Sequence, residues 1–126
     1  MTGAVMALVG EGGGSSTGYS GTPATPSWSG IYGTDNASSN TATLTGFTGH
    51  MPVSAAVSSG PVGIAYTLNG TTYAYSGAFN VSPGDTLSWT LSVRATKSGT
   101  LTVSYGSTPT TLATIPYSII WDGGHG

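Results

Sequence analysis

Strict alternation of apolar and polar residues constrains this chain more than any other feature. Thr86–Ala95 reads TLSWTLSVRA, and Thr100–Tyr105 repeats the pattern as TLTVSY. Because successive side chains of a strand point to opposite faces of a sheet, this pattern indicates strands with one buried face. The residues predicted to face the core are Leu87, Trp89, Leu91, Val93, Ala95, Leu101, Val103 and Tyr105. The short link Thr96–Gly99 (TKSG) predicts a hairpin turn that pairs the two strands.

A second hairpin is predicted by the dipeptide Asn69-Gly70. The segments Ile64–Leu68 and Thr71–Tyr75 flank it and have strand-like composition. A type I′ turn needs positive φ at both central residues, and Asn and Gly adopt that conformation most easily. The sequence therefore predicts a hairpin over Gly63–Ser76.

Four weaker segments complete the strand pattern. They are Thr41–Phe47 with a bulge at Gly46, Val53–Val57, Ala78–Val81 and Leu112–Trp121. Pro116 cannot donate a ladder hydrogen bond, so its strand is expected to lie at an edge or to bulge there. Asp85 is expected to close the turn after Pro83-Gly84 through a bond from its side chain to the backbone. About seven short strands without a helical period predict an all-β fold, a single antiparallel β-sandwich.

The first 30 residues differ from the rest in composition. Gly10–Gly30 consists almost entirely of Gly, Ser, Thr and Pro, with Tyr19, Ala24 and Trp28 as its only residues to bury. Such a segment cannot offset its own ordering entropy. It is therefore either a flexible linker or an extended arm that a partner subunit holds, with Met1–Val9 as the anchor. We predict an N-terminal anchoring arm over residues 1–30, the sandwich over 31–121 and a tail over 122–126.

Charged residues are scarce. The chain has two basic and four acidic residues, so 5% of it is charged, against about 25% in an average soluble protein. With a net charge of −2 and no basic patch, nucleic acid is excluded as an expected partner. The absence of cysteine removes disulfides and thiolate chemistry. The apolar run Ala4–Val9 is too short to span a bilayer, so no membrane insertion is expected.

The segment from Thr41 to Ile119 resembles an immunoglobulin-like or fibronectin-III-like module found in bacteriophage virion proteins and bacterial surface proteins. The ordered pieces that carry the resemblance are Thr43–Thr48 (TLTGFT), Val53–Gly60 (VSAAVSSG), the Y-x-L-N-G-x-x-Y hairpin Tyr66–Tyr73, Ser82–Val93 (SPGDTLSWTLSV) and Ser98–Gly106 (SGTLTVSYG). The resemblance implies an immunoglobulin-like β-sandwich in a virion. The Gly-rich arm and the absence of a cysteine pair depart from the antibody-type pattern.

Candidate catalytic and metal-binding residues are few. His50 and His125 are expected to be ordinary surface histidines, although Asp122 and His125 together could form a chelating tail. The only G-x-S-x-G string, Gly14–Gly18 (GSSTG), lies in the Gly-rich segment and not between a predicted strand and a helix, and the acidic residues are scattered one to a region. We therefore predict no enzymatic activity, no metal site and no cofactor.

The function predicted first is that of a non-enzymatic structural protein of a bacteriophage virion, in a tail, fibre, collar or capsid surface. It would be present in many copies and bind other virion proteins or itself. The arm residues expected to bind the partner are Met1, Val5, Met6, Leu8, Val9, Tyr19 and Trp28.

Two alternatives stay open. One is a carbohydrate-binding or adhesion module on a virion or bacterial surface, in which exposed aromatic rings stack on a host-surface glycan. The candidate glycan contacts are Tyr32, Tyr73, Tyr75 and Trp121. The other is an accessory immunoglobulin-like domain of a secreted bacterial enzyme. A planar row of exposed aromatic rings would favour the carbohydrate-binding alternative.

Overall fold

The fold is all-β, as the alternation predicts. A computed structural model describes residues 18–123, and every regular element within them is a strand. In chain order the strands are β1 (Tyr19–Gly21), β2 (Ile31–Thr34), β3 (Asn36–Ser38), β4 (Ala42–Thr43), β5 (Phe47–Gly49), β6 (Met51–Val57), β7 (Gly63–Leu68), β8 (Thr71–Ala74), β9 (Phe79–Val81), β10 (Thr86–Ser92), β11 (Lys97–Tyr105) and β12 (Thr110–Ile120). A helix that could cross a membrane is not found in this described part.

Ten of these strands form one hydrogen-bonded sheet. Its order is β9-β6-β11-β12-β2-β3-β10-β7-β8, and β4 pairs with β10 beside this path. Strands β1 and β5 form a separate two-stranded sheet. The pairing of β2 with β12 is parallel, whereas β3 runs antiparallel to β10. The chain passes from β2 to β3 through Asp35, which adopts a positive φ of 65°, and this corner joins the two halves of the sheet.

The two ends of this long sheet face each other across aromatic side chains. Phe79 on β9 stacks on Tyr66 of β7, with ring centroids 3.7 Å apart. The backbone N–H of Ala55 on β6 donates to the Tyr75 hydroxyl, which follows β8, at 3.0 Å. The sheet therefore folds over and encloses one core, an arrangement consistent with a β-sandwich. We call this body the folded sheet.

The core contains the residues that the alternation places inward. Leu87, Trp89, Leu91, Val93, Leu101 and Val103 are all buried in a single apolar cluster. Tyr105 is half-buried against that cluster, and Ala95 is exposed beyond the end of β10. The inward face is thus confirmed for both strands except at the outermost position, where the chain has left the sheet.

The predicted hairpin across Thr96–Gly99 is wrong. Strand β10 lies between β3 and β7, whereas β11 lies between β6 and β12. The connection therefore crosses from one half of the folded sheet to the other, and Lys97 to Gly99 already belong to β11. Alternation predicts that a strand exists and which face is buried, but it carries no information about which strand is its neighbour.

The Asn69-Gly70 hairpin and the Asp85 turn are confirmed. Asn69 and Gly70 have φ values of 51° and 87°, and they join β7 to β8. The Ser82 N–H donates to Asp85 Oδ2 at 2.8 Å, which closes the turn before β10. Asp85 Oδ1 also accepts a bond from Asn69 Nδ2 at 3.0 Å, so the two turns are tied together.

Strand β12 differs from its predicted register near its start. The alternation Ala113, Ile115, Tyr117, Ile119 and Trp121 predicts that Ala113 faces inward, but Leu112 is buried instead and Ala113 is only half-buried. The register of β11 against β12 shifts between Val103 and Ser104, and this irregularity displaces the pattern by one residue before Ile115. Pro116 lies just before the pairing with β2 begins at Tyr117, on a part of β12 with a free edge on that side.

The segment predicted as a bulged strand over Thr41–Phe47 is divided into two short strands. Strand β4 covers only Ala42–Thr43, and β5 begins at Phe47. Gly46 between them has a φ of 93°, and a Cβ at this position would lie 2.8 Å from the Ala24 nitrogen. The close approach of another backbone therefore requires glycine here and interrupts the ladder.

Residues 18–30 lie against the folded sheet. Tyr19 packs edge-on against Tyr105, with ring centroids 6.4 Å apart. Trp28 packs against Trp89 at 6.0 Å, and its indole N–H donates to the Leu87 carbonyl at 2.8 Å. Pro23 and Pro26 are buried. This part of the predicted arm therefore contributes side chains to the surface of the core.

The strands give the molecule two ends. The Tyr19 end contains residues 18–22, 69–70, 82–85 and 106–109, which are the chain's first described residues and three turns. The Trp121 end contains Asp35, residues 58–62, residues 93–96 and residues 121–123. The described chain thus begins at one end of the folded sheet and finishes at the other.

Candidate functional site

A groove lies at the Trp121 end of the folded sheet. Its volume is about 820 Å³, which lies within the roughly 300–1,000 Å³ typical of small-molecule sites. Its lining comes from the β2–β3 corner, the loop before β7, the end of β10 and the end of the described chain. The lining residues are Asp35, Asn36, Pro61, Val62, Gly63, Ser92, Val93, Arg94, Trp121 and Gly123.

Asp35 is fixed at the bottom of this end by backbone hydrogen bonds. Its N–H donates to the Ile120 carbonyl at 2.7 Å, and its carbonyl accepts from Val93 N–H at 2.9 Å. Its side chain Oδ1 accepts a bond from the Asp122 N–H at 2.8 Å. An aspartate is one of the few residues that tolerate its positive φ. The Asp35 backbone therefore joins the β2–β3 corner to the ends of β10 and β12, and the carboxylate is held by the Asp122 N–H.

The walls of the groove are also held by hydrogen bonds. The Trp121 N–H donates to Thr96 Oγ1 at 2.9 Å, which ties the last described residues to the loop after β10. Lys97 Nζ donates to the Gly60 carbonyl at 3.1 Å. The Tyr117 hydroxyl donates to the Ser59 carbonyl at 2.6 Å, so the loop before β7 is bound to β12. The groove is therefore largely formed without a ligand, which lowers the entropy cost of binding.

The charged side chains are concentrated at this end. In the described part of the chain, Asp35, Arg94, Lys97 and Asp122 lie at the Trp121 end, and Asp85 lies at the Tyr19 end. Asp85 is committed to its turn. Within residues 18–123, the exposed Arg94 guanidinium has no hydrogen-bonding or ion-pairing partner. A chain with so few charges thus presents most of them around one groove.

The groove combines an aromatic and aliphatic surface with both hydrogen-bond donors and hydrogen-bond acceptors. Trp121, Val62 and Val93 supply the apolar area. Arg94 supplies donors, and the Asp35 carboxylate supplies acceptors. Because their charges sum to zero, the groove favours neither a free anion nor a free cation. It is suited to an uncharged ligand that has both apolar surface and hydroxyl or amide groups.

The four predicted glycan contacts do not lie together. Trp121 alone lines the groove. Tyr32 is 63% exposed on β2, and Tyr73 is 45% exposed on the edge strand β8. Tyr75 is half-buried, and its hydroxyl is occupied by Ala55. Aromatic rings so distributed do not form a planar row.

The predicted arm contacts lie partly outside the described residues. This applies to Met1, Val5, Met6, Leu8 and Val9. Tyr19 and Trp28 pack against the folded sheet at the contacts given above. The folded sheet therefore already covers part of each ring, and only the remaining exposed part of Tyr19 and Trp28 is available to a partner.

Of the two histidines in the chain, the structure describes only His50. His50 is exposed, and its Nδ1 lies 3.1 Å from Ser82 Oγ. His125 is outside the described residues. Residues 18–123 hold no group of three His, Cys, Asp or Glu side chains that could bind a metal ion.

Sequence reasoning missed most of the groove. Asp35 and Arg94 are far apart in sequence, and neither belongs to a motif. Arg94 is on the outward face of the alternating pattern, where a charged residue is ordinary. The one signal available was its rarity, since it is one of only two basic residues in the chain.

Comparison with known proteins adds no relative. The chain matches no protein-family model, no curated protein and no solved structure.

Proposed function

We propose that this chain is a non-enzymatic structural component of a bacteriophage virion, with an immunoglobulin-like sandwich as its folded body. Its N-terminal arm docks on other virion proteins, and the body is displayed outward. One observation carries the proposal. The described chain begins at the Tyr19 end, whereas the groove and most charges lie at the opposite end. A chain attached by its first residues would therefore present the Trp121 end to solvent.

The use of the polar side chains supports a structural role. Asp85 accepts two bonds that close and connect turns, and His50 is paired with Ser82. The hydroxyl of Ser39, a buried polar residue, accepts a hydrogen bond from the backbone N–H of Trp89 at 3.0 Å. His50 contacts the Ser82 hydroxyl, but the Asp85 carboxylate beside them accepts from the Ser82 N–H and Asn69 Nδ2 and not from His50. The acid that orients the imidazole in a catalytic triad is therefore not among these contacts.

The test is incorporation of a shortened chain into particles. Deleting residues 1–17 leaves Tyr19 and Trp28 in their packing sites, so this variant is expected to fold, whereas deletion through Gly30 would remove them. We expect the shortened chain to be folded and absent from purified particles. The Arg94→Ala chain serves as the matched control and is expected to incorporate normally. Normal incorporation of the shortened chain would refute attachment through the arm.

Salt provides a second measurement on the same particles. An arm with one charge, Glu11, cannot depend on ion pairs for its attachment. Raising salt from about 0.1 to 1 M, where the screening length falls from roughly 10 to 3 Å, is therefore expected to release little of the chain. Release at moderate salt would show that charges hold it.

A carbohydrate-binding or adhesion module is the second candidate function. The observation that favours it is the position of Trp121 in a groove with a carboxylate and a guanidinium. It is compatible with attachment through the arm, because the two functions use opposite ends.

A further inference from the structure

We propose that the groove at the Trp121 end is a binding site for a neutral saccharide, with the Trp121 ring as its apolar platform. Arg94 and Asp35 are the groups that hydrogen-bond the sugar hydroxyls. The site does not require the attachment proposed above, because it uses residues of the folded sheet alone.

The first step is the chemical match between a pyranose and this lining. A pyranose ring has C–H groups that pack on an aromatic face and hydroxyl groups that need both donors and acceptors. Trp121 and Val62 offer the apolar contact. The guanidinium can donate two parallel bonds to neighbouring hydroxyls, and a carboxylate can accept two. A saccharide can use all of these groups together.

The second step is electrostatic. Asp35 and Arg94 both line the groove, so their charges cancel locally. A ligand carrying a carboxylate or sulfate would gain from Arg94 and Lys97 but be repelled by Asp35 and Asp122, so it would lose hydration without a net attraction from the four charges at this end. A neutral ligand meets no such repulsion, and the site therefore selects an uncharged sugar.

The third step concerns the state of Arg94. Its guanidinium has no partner within residues 18–123, and the residue is exposed and lines the groove. Lys97 at the same end, by contrast, already donates to the Gly60 carbonyl. Arg94 has donors that remain free for a ligand, while the Asp35 carboxylate opposite is already fixed by the backbone.

The experiment is a titration of the full chain, labelled with ¹⁵N, with glucose, galactose, mannose and N-acetylglucosamine in separate NMR series. We expect at least one of these sugars to bind with a millimolar Kd, the range that few hydrogen bonds and one ring contact provide. The shifted resonances are expected to be those of Asp35, Ser92, Arg94 and the Trp121 indole. Glucuronic acid, as the charged comparison, is expected to bind more weakly than glucose.

Three variants identify the site. Trp121→Ala and Arg94→Ala are each expected to weaken binding at least about tenfold, as loss of a principal contact does. Arg94 is exposed, so its removal leaves folding intact and keeps the test valid if the Trp121 variant is unstable. Tyr73→Ala removes an exposed aromatic ring outside the groove and is the matched control with unchanged binding.

Several results would overturn the proposal. They are the absence of shifts in groove resonances with all four sugars, equal loss in the Tyr73 variant, or tighter binding of glucuronic acid than of glucose. The shortened chain that lacks residues 1–17 separates this proposal from the previous one. It should keep the sugar-dependent shifts even though it no longer enters particles.

Discussion

Replacement of Trp89 by phenylalanine should be nearly neutral, although Trp89 is the largest fully buried side chain of the described core. Its ring lies about equally far from Phe79 and Tyr66, with centroids at 5.9 and 6.2 Å. Its indole Nε1 is buried without a hydrogen-bond partner. The native tryptophan therefore has the desolvation cost of an unpaired buried N–H group, and phenylalanine does not.

The magnitude follows from two opposing terms. Exchanging indole for phenyl leaves a void of roughly 40 Å³, which at about 24 cal/mol per Å³ costs ~1 kcal/mol, and the lost transfer free energy adds a similar amount. Removing an unpaired buried donor returns about 1–3 kcal/mol. The free energy of unfolding of Trp89→Phe should therefore lie within about 1 kcal/mol of the native value. Trp89→Ala should lose about 3–5 kcal/mol.

Trp28 provides the matched control because its indole N–H does have a partner, the Leu87 carbonyl at 2.8 Å. Trp28→Phe loses similar volume and also a hydrogen bond worth about 1 kcal/mol. Although Trp28 is only half-buried, its variant should be the less stable of the two. Urea unfolding followed by far-ultraviolet circular dichroism measures both, since other tryptophans complicate fluorescence. The reasoning is refuted if Trp89→Phe is the more destabilised by over about 1 kcal/mol.

Two further predictions concern pH and a turn. Burial, and secondarily the neighbouring Tyr73, raises the pKa of Tyr66. The folded state therefore holds the phenol proton more tightly, so this contribution to stability is complete below about pH 10 and is lost as pH rises through the folded pKa. The melting temperature of Tyr66→Phe should accordingly fall less than that of the native chain between about pH 9 and 11, and an identical decline would contradict this. Gly70→Ala should cost about 1 kcal/mol, because φ is 87° and nothing lies within 4 Å of the added Cβ, so only backbone strain contributes. Gly63→Ala, where φ is ordinary and the nearest atom is 3.6 Å away, should be close to neutral in the same melting experiment and is its control.

The strands could be predicted where local rules decide the outcome. The buried face of β10 follows from its period of two, and the β7–β8 turn follows from the conformations that Asn69 and Gly70 accept. The partner of each strand could not be predicted in this way. The link after β10 has turn-like composition, yet β10 and β11 lie in opposite halves of the sheet, and the same faces would be buried in either arrangement.

The sequence also did not predict the positions of some individual side chains. Leu112 replaces Ala113 in the core because an irregularity in the β11–β12 ladder changes the register. The aromatic contact of Trp28 with Trp89 joins residues that are distant in sequence, so Gly/Ser-rich composition around Trp28 gave no sign of it. Composition describes the average of a segment, whereas one large side chain with a carbonyl partner is enough to hold a segment against a sheet.

The distribution of charge links the groove to the proposed attachment. The outward faces of β6, β11 and β12 carry small uncharged residues, among them Ser54, Thr102 and Thr114. Such faces can be covered by neighbouring subunits with little desolvation cost, because no ion must leave water. The Trp121 end is different, because the Arg94 guanidinium has no partner among residues 18–123. Burying it against a protein without a matching acid would cost several kcal/mol. In the proposed assembly, neighbouring subunits can therefore cover the outward faces of β6, β11 and β12. The Trp121 end remains in solvent, where the proposed saccharide ligand can reach the groove.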